Sequence, residues 1–176
     1  GIFFIDAPVS GGEKGAKEGS LTIMAGGDEE AFKSSLQVLN LYSKYSKRMG
    51  DSGTGQLTKM VNQICIAGLI QALAEGMHFS EKAGLNTQEV IEVISRGAAQ
   101  SWQMDNRWES MLADYYEHGF AVDWMRKDLG FVLEESVVNG SNLEITNLID
   151  SFYAEVQQRG GGRWDTSSLF RRLNSQ

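Results

Sequence analysis

The stretch that determines the fold lies in the middle of the chain. Residues 53–84 have the sequence GTGQLTKMVNQICIAGLIQALAEGMHFSEKAG, without a proline. About 30 residues at a rise of 1.5 Å each predict a helix about 45 Å long. Apolar side chains lie nearly all round its axis, which predicts burial on most sides, and Gly84 is a natural C-terminal stop. Polar residues at positions 62, 63, 71 and 75 favour a buried helix over a membrane span.

The segments on either side of this helix differ in pattern. Before it, the sequence predicts a strand at 2–6, a glycine-rich loop at Ser10–Gly19, a strand at 21–25, a helix from Asp28 to about Leu41 and a short strand at 47–49. After it, helices are predicted at 86–96, 101–116, 123–138, 144–158 and 167–173, with a loop at 160–162. The predicted organisation is a small β-containing part, residues 1–52, and an all-helical part, residues 53–176.

Composition limits the classes of function. The chain has 176 residues, 41% of them hydrophobic, which suffices for a compact core. A formal charge of -7 and a pI near 4.9 argue against nucleic acid as a partner, because phosphate binding needs a basic face. The single cysteine and two histidines predict neither a disulfide nor a metal site. No signal peptide is evident, and we expect a cytoplasmic protein. Because the chain starts with an apolar run and no methionine, we expect a truncation.

Lys59 is the first candidate for chemistry. It lies three residues before Asn62, so the two side chains share a face one turn into the helix. Glycines at 53 and 55 allow a ligand or another backbone to approach closely. The apolar run that follows predicts a dry neighbourhood, which favours a neutral amine able to transfer protons. A solvated lysine on an exposed first turn fits the spacing equally well.

Two further motifs contain polar residues at the ends of predicted elements. Ser10, followed by Gly11 and Gly12 after a strand, can present a hydroxyl and backbone N–H groups to a carboxylate, or simply form a turn. Lys127 beside Asp128, near a helix start that follows Phe120, is either part of a site or a surface ion pair. The glycines near Lys59 lack the third glycine of a dinucleotide-binding loop.

Together, these motifs resemble the β-hydroxyacid dehydrogenase family. Its members include 3-hydroxyisobutyrate dehydrogenase, tartronate semialdehyde reductase and glyoxylate/succinic semialdehyde reductases, with 6-phosphogluconate dehydrogenase as a distant relative. The resemblance rests on Asp6–Gly12, Gly15-Ala16, Gly19–Met24, Gly26-Gly27, Gly53–Asn62 and Lys127-Asp128-Leu129, in that order along the chain. It implies a mainly α fold: a helical C-terminal domain of the 6-phosphogluconate dehydrogenase-like type, preceded by a small β/α remnant of a Rossmann domain.

The resemblance also implies a role for each candidate residue. Lys59 is the implied catalytic acid/base, and Lys127 is implied to line the nicotinamide side of the cleft. The implied substrate-binding residues are Ser10, Gly11, Gly12, Asn62, Phe120 and Asp128. Many members have a second asparagine where this chain has Gln63, but others share the Asn-Gln pair.

The implied reaction is NAD- or NADP-dependent hydride transfer between a β-hydroxyacid and its semialdehyde or keto form. We expect a small carboxylate substrate, a homo-oligomer (dimer or tetramer), and no activity from this chain alone, because the family's cofactor-binding half would precede residue 1. The four tryptophans can shape a wider pocket for a larger substrate or belong to the core. The alternative function is an inert helical binding or dimerisation module of the same scaffold.

Overall fold

A computed structural model of the chain describes residues 2–174, and 62% of these residues are helical. The strands are β1 (Ile5–Asp6), β2 (Val9–Ser10), β3 (Leu21–Gly27) and β4 (Ser43–Gly50). The helices are α1 (Gly12–Lys17), α2 (Glu29–Leu39), α3 (Thr54–Lys82), α4 (Thr87–Ile94), α5 (Trp102–Leu112), α6 (Val122–Asn139), α7 (Glu144–Gln158) and α8 (Leu169–Asn174). A 3-10 turn at Thr166–Ser168 precedes α8. The chain divides into two compact units, one up to residue 62 and one from residue 63 onward, so the division falls inside α3.

The first unit is built on a four-stranded sheet with β3 as the shared strand. β1 and β2 both pair antiparallel with β3 in one register, interrupted at Ala7-Pro8. Pro8 has no N–H to donate, but its carbonyl still accepts a bond from the Met24 N–H at 3.0 Å. β4 pairs parallel with β3, and α2 makes the crossover between them. Asp28 caps α2 as predicted, because its carboxylate accepts the N–H groups of Glu30 and Ala31.

The predicted loop at Ser10–Gly19 is wrong in part, since α1 occupies its middle. The helix is only six residues long, too short for its periodicity to stand out among the glycines. A Glu13–Lys17 ion pair spans its single turn, and Gly15 is buried beside Leu21. The strand predicted at 2–6 is reduced to β1, whereas the strand predicted at 47–49 is longer, as β4.

The second unit has one hydrophobic core to which helices α3 to α8 contribute. The α3 residues Ala67, Ile70, Ala74 and Met77 are fully or almost fully buried. Asn86 caps α4 as predicted, because its side chain accepts the Glu89 N–H, and its side-chain amide, not its backbone N–H, donates to the Glu89 carboxylate. Arg126 makes a bidentate pair with Asp150 at 3.0 Å for each bond. That hydrogen bonding raises the pKa of Arg126 and ties α6 to α7.

The predicted burial of α3 on most sides is wrong for this chain. Cys65, Leu69, Ala72 and Phe79 lie on one face of the helix and are exposed, Phe79 with 71% of its surface. The physical reason is that the surrounding helices cover only one side of α3. By length and composition α3 also matches a membrane span, as core helices of soluble proteins do, so this match is weak evidence. The absence of a membrane partner stays a prediction.

Candidate functional site

In the first unit, a carboxylate from β1 holds the start of α3. One Asp6 oxygen accepts the Gly53 N–H at 2.6 Å and the other accepts the Gln56 N–H at 3.0 Å. These N–H groups have no partner within the helix, so Asp6 acts as an N-cap supplied from a distant strand. A Cβ at Gly55 would lie 2.5 Å from the Met24 carbonyl oxygen and 2.6 Å from the Asp6 carboxylate. Glycine at position 55 therefore allows the helix to approach the sheet.

Lys59 lies one turn further along α3 and contacts the strand that precedes the Ser-Gly-Gly motif. Its ammonium donates to the Val9 carbonyl oxygen at 2.9 Å, and the side chain is half-buried. Asn62, also half-buried, follows on the same helix three residues later. The structure thus brings Lys59 next to the segment that carries Ser10, although 50 residues separate Lys59 from Val9 in the sequence.

The Ser-Gly-Gly motif forms the end of β2 and the start of α1. Ser10 is half-buried, and Gly11 and Gly12 are exposed. Gly11 has φ 129° and Gly12 has φ 61°, conformations that side-chain-bearing residues rarely adopt. Gly11 is the N-cap of α1 without a side-chain cap. The motif thus directly follows Val9, the residue that Lys59 contacts, and both features lie within the first unit.

In the second unit, Asp128 lies between a buried amide and a cation. The Gln63 amide nitrogen donates to one Asp128 oxygen at 2.7 Å, and the Lys127 ammonium lies 2.9 Å from the other. Gln63 is only 2% exposed, and its amide also lies 4.0 Å from the Met125 sulfur. The Asp128 side chain is 16% exposed and that of Lys127 is 51% exposed. In this ion pair, Gln63 thus fixes the Asp128 carboxylate, and the Lys127 ammonium remains accessible to solvent.

Lys127 also lies between two aromatic rings on the same face of α6. Its ammonium is 5.9 Å from the Trp124 ring centroid and 5.6 Å from that of Phe131. Both rings are about half exposed. The two ring faces thus attract the exposed ammonium and hold it between them.

Phe120 is held by its backbone. Its N–H donates to Asp165 at 2.8 Å, and Asp165 is fully buried. The other Asp165 oxygen accepts the hydroxyl and N–H of Ser167 and lies 3.2 Å from the Arg107 guanidinium. A Cβ at Gly119 would collide with the Asp165 carboxylate, which accounts for the glycine before Phe120. The Phe120 side chain is half-buried and packs against the core.

Sequence reasoning missed three residues that organise these groups: Asp6, Gln63 and Asp165. Asp6 could have been suspected, because the start of α3 has no capping residue of its own at position 53. Gln63 was noted only as a variant of a family pattern. The only local signal of Asp165 is its capping of the short 3-10 turn, because the partners that link it to Phe120 and Arg107 are 45 and 58 residues earlier in the chain. Among residues 2–174, no three His, Cys, Asp or Glu side chains are placed to hold a metal ion.

Two family models match the chain. A family model described as "NAD-binding of NADP-dependent 3-hydroxyisobutyrate dehydrogenase" matches residues 53–173. A second, "NAD binding domain of 6-phosphogluconate dehydrogenase", matches residues 1–61. Both describe nicotinamide-dependent oxidoreductases. The chain belongs to the 3-hydroxyisobutyrate dehydrogenase family, within the β-hydroxyacid dehydrogenases. This confirms the resemblance and the predicted mainly α fold class.

Individual relatives support the same family. The chain is 58% identical to an uncharacterized oxidoreductase of Shewanella frigidimarina over 98% of this chain and 59% of the relative. It is 35% identical to 2-hydroxy-3-oxopropionate reductase of Escherichia coli over 97% of this chain and 58% of the relative. A solved structure of Mycobacterium tuberculosis 3-hydroxyisobutyrate dehydrogenase with L-serine superimposes with a TM-score of 0.87 at 28% identity, covering 96% of this chain and 60% of that one.

The chain spans about 59% of the length of the first of these relatives. The family is NAD(P)-dependent, and the residues present fit part of such a cofactor. The half-exposed Trp124 and Phe131 rings beside Lys127 offer apolar faces on which a planar ring such as nicotinamide stacks. The Gly-x-Gly-x-x-Gly loop that binds the pyrophosphate does not occur among the 176 residues. The domain boundary predicted at residues 52/53 stays a prediction.

Proposed function

We propose that this chain is part of an NAD(P)-dependent oxidoreductase that interconverts a β-hydroxyacid and its semialdehyde or keto form. The observation that supports this most is the contact of Lys59 with the Val9 carbonyl, which holds an ammonium beside the Ser10–Gly12 segment. A cation next to exposed backbone N–H groups is suited to a carboxylate substrate. Two relatives have names that fit a small hydroxyacid, namely 2-hydroxy-3-oxopropionate reductase and a dehydrogenase solved with L-serine.

In this proposal, the first unit handles the proton and the carboxylate. The bound nicotinamide supplies the hydride acceptor in oxidation and the hydride donor in reduction. Lys59 Nζ, as the neutral amine, takes the hydroxyl proton of the substrate in oxidation and becomes an ammonium, and as the ammonium it gives the proton to the carbonyl oxygen in reduction. Ser10, Gly11 and Gly12 bind the substrate carboxylate, and Asn62 donates a hydrogen bond to the substrate. Asp6 positions Lys59, because it fixes the first turn of α3.

The second unit contributes Phe120 and Asp128 to substrate binding and Lys127 to the cofactor. Gln63 keeps the Asp128 carboxylate in one orientation through its 2.7 Å hydrogen bond. That orientation also directs the Lys127 ammonium, which lies 2.9 Å from the same carboxylate. The roles of these residues follow the family resemblance, and their contacts support it.

The test is Lys59→Ala in the protein that carries this chain, assayed with β-hydroxyacids and semialdehydes and with both NAD and NADP. Loss of a general acid/base predicts a kcat about 10²–10⁴-fold lower, with cofactor affinity nearly unchanged. Lys82→Ala, which removes an exposed lysine from the last turn of the same helix, is the control. Turnover near wild type in Lys59→Ala contradicts the assignment. An inactive wild type that still self-associates favours the alternative of an inert dimerisation module.

We also propose a homo-oligomer, a dimer or a tetramer, in the cytoplasm. Apolar side chains on α3, among them Leu69 and Phe79, are exposed in this chain. They support association because a partner copy would remove this apolar surface from water. Light scattering at micromolar concentration tests it, and a monomeric mass contradicts it.

A further inference from the structure

The C-terminal segment of the second unit concentrates positive charge in an acidic protein. The chain has a formal charge of -7, yet residues 159–172 contain four arginines and one acid. The acid, Asp165, is fully buried and already paired with Arg107. The arginines in this segment therefore form a local basic surface that the overall composition conceals.

A cavity of about 200 Å³ lies within this segment. It is lined by Val156, Arg159, Trp164, Ser168, Arg171 and Arg172, contributed by α7, the loop after it, the 3-10 turn and α8. We call it the arginine pocket. None of the residues proposed above for hydride transfer lines it, so it is a separate site.

The charges around the arginine pocket do not cancel. Arg172 is nearly buried and binds Glu155 at 2.8 Å. Arg171 lies 3.6 Å from the exposed Asp114 and stacks on the Trp164 ring at 4.5 Å. Among the ion pairs of residues 2–174, none includes Arg159, whose guanidinium donates to the Arg172 carbonyl at 3.3 Å. Arg159 therefore brings to the cavity a positive charge that no carboxylate among the described residues balances in an ion pair.

A second, independent observation points to a ligand. Ser168 lines the same pocket and is fully buried, and its hydroxyl has no hydrogen-bond partner among the described residues. Buried hydroxyls without a partner are uncommon, because leaving one unpaired costs about 1–3 kcal/mol. A bound anion would accept the hydrogen bond that Ser168 is able to donate once neighbouring side chains shift to expose the hydroxyl, which has almost no accessible surface in this structure.

We propose that the arginine pocket binds a small oxyanion, the phosphate or carboxylate group of a metabolite. Guanidinium groups donate paired hydrogen bonds that match the geometry of both groups. The cavity, of about 200 Å³, has room for such a group. Arg159 and Arg171 supply the charge, and Ser168 supplies a directed donor.

The test uses this chain in a buffer free of multivalent anions. Thermal unfolding is followed with increasing inorganic phosphate or malonate, against KCl at equal ionic strength, and titration calorimetry gives the Kd. A site with a Kd of about 1 mM predicts a saturable Tm rise of about 3–5 °C at ~10 mM anion. The variants are Arg159→Gln and Ser168→Ala, with Arg96→Gln as the control at an exposed arginine outside the pocket.

The expected result is at least a tenfold loss of affinity in Arg159→Gln and a clear loss in Ser168→Ala, with Arg96→Gln unchanged. Ser168→Ala without anion should have the Tm of wild type or higher, because it removes only an unpaired hydroxyl. Preference for phosphate or for malonate identifies the ligand class, and either supports the site. A Tm rise no larger than that in KCl, or unchanged affinity in Arg159→Gln, overturns the proposal and leaves the dehydrogenase assignment untouched.

Discussion

The first unit holds its candidate residues through bonds between a side chain and the backbone, whereas the second unit adds bonds between side chains. Asp6 binds two N–H groups and Lys59 binds a carbonyl. In the second unit, Asp128 is bound by a glutamine amide, and Asp165 by an arginine and a serine as well as by the Phe120 N–H. A contact with the backbone requires that two elements approach closely, and glycine allows this because it has no side chain. Geometry fixed by side chains depends on the identity of each partner.

The largest effect should come from removing Asp165. Asp165→Ala leaves the Arg107 guanidinium in a mostly buried position without its counter-charge and the Phe120 N–H without its acceptor. We expect a loss of about 3–5 kcal/mol in the free energy of unfolding, measured by urea denaturation. Asp51→Ala, which removes an exposed ion pair with Arg48, should cost no more than about 1 kcal/mol. Similar losses in both variants would contradict the distinction between buried and exposed pairing.

A smaller effect should come from Gly55→Ala in the first unit. The added Cβ meets the Met24 carbonyl oxygen at 2.5 Å, so α3 must move away from the sheet. We expect a loss of about 1–3 kcal/mol in urea denaturation. Gly68→Ala, on the same helix with nothing within 4 Å of the new Cβ, should gain up to about 1 kcal/mol from helix propensity. If both variants lose stability equally, close approach is not what requires glycine at position 55.

The smallest effect should appear only at alkaline pH. Burial raises the pKa of Tyr153 well above its usual value, and the Asp165 carboxylate adds to this. A raised pKa in the folded state means that the contribution is complete below about pH 10 and is lost as pH rises further. Melting curves from about pH 8 to 11 should therefore show a steeper fall in Tm for wild type than for Tyr153→Phe. Tyr115→Phe, at an exposed position, should follow wild type.

Long elements could be predicted from the sequence because their signals are local. α7 has the predicted bounds, 144–158, and α3 differs by one or two residues at each end. The short α1 could not be recognised, because one helical turn among glycines has no periodicity. The exposed face of α3 was also missed, since an apolar residue does not indicate whether this chain or another molecule covers it.

The residues of the candidate site also differ in whether local sequence could reveal them. The Lys59 spacing and the Ser-Gly-Gly motif are local, and a resemblance could assign them roles. The supports from Asp6 and Asp165 depend on pairings across about 45 to 58 residues, which sequence spacing does not reveal. Gln63 directly follows the Gly53–Asn62 motif, but its contribution to the site is a hydrogen bond to Asp128, which lies 65 residues later.

The single cysteine lies on the exposed face of α3, among Leu69, Ala72 and Phe79. It therefore provides an intrinsic chemical probe that requires no engineering. The rate at which a maleimide alkylates Cys65 reports directly whether solvent reaches that face. The alkylation rate can be measured at several protein concentrations, or with and without added cofactor. A slower rate then shows that another molecule or a second copy covers this face of the helix.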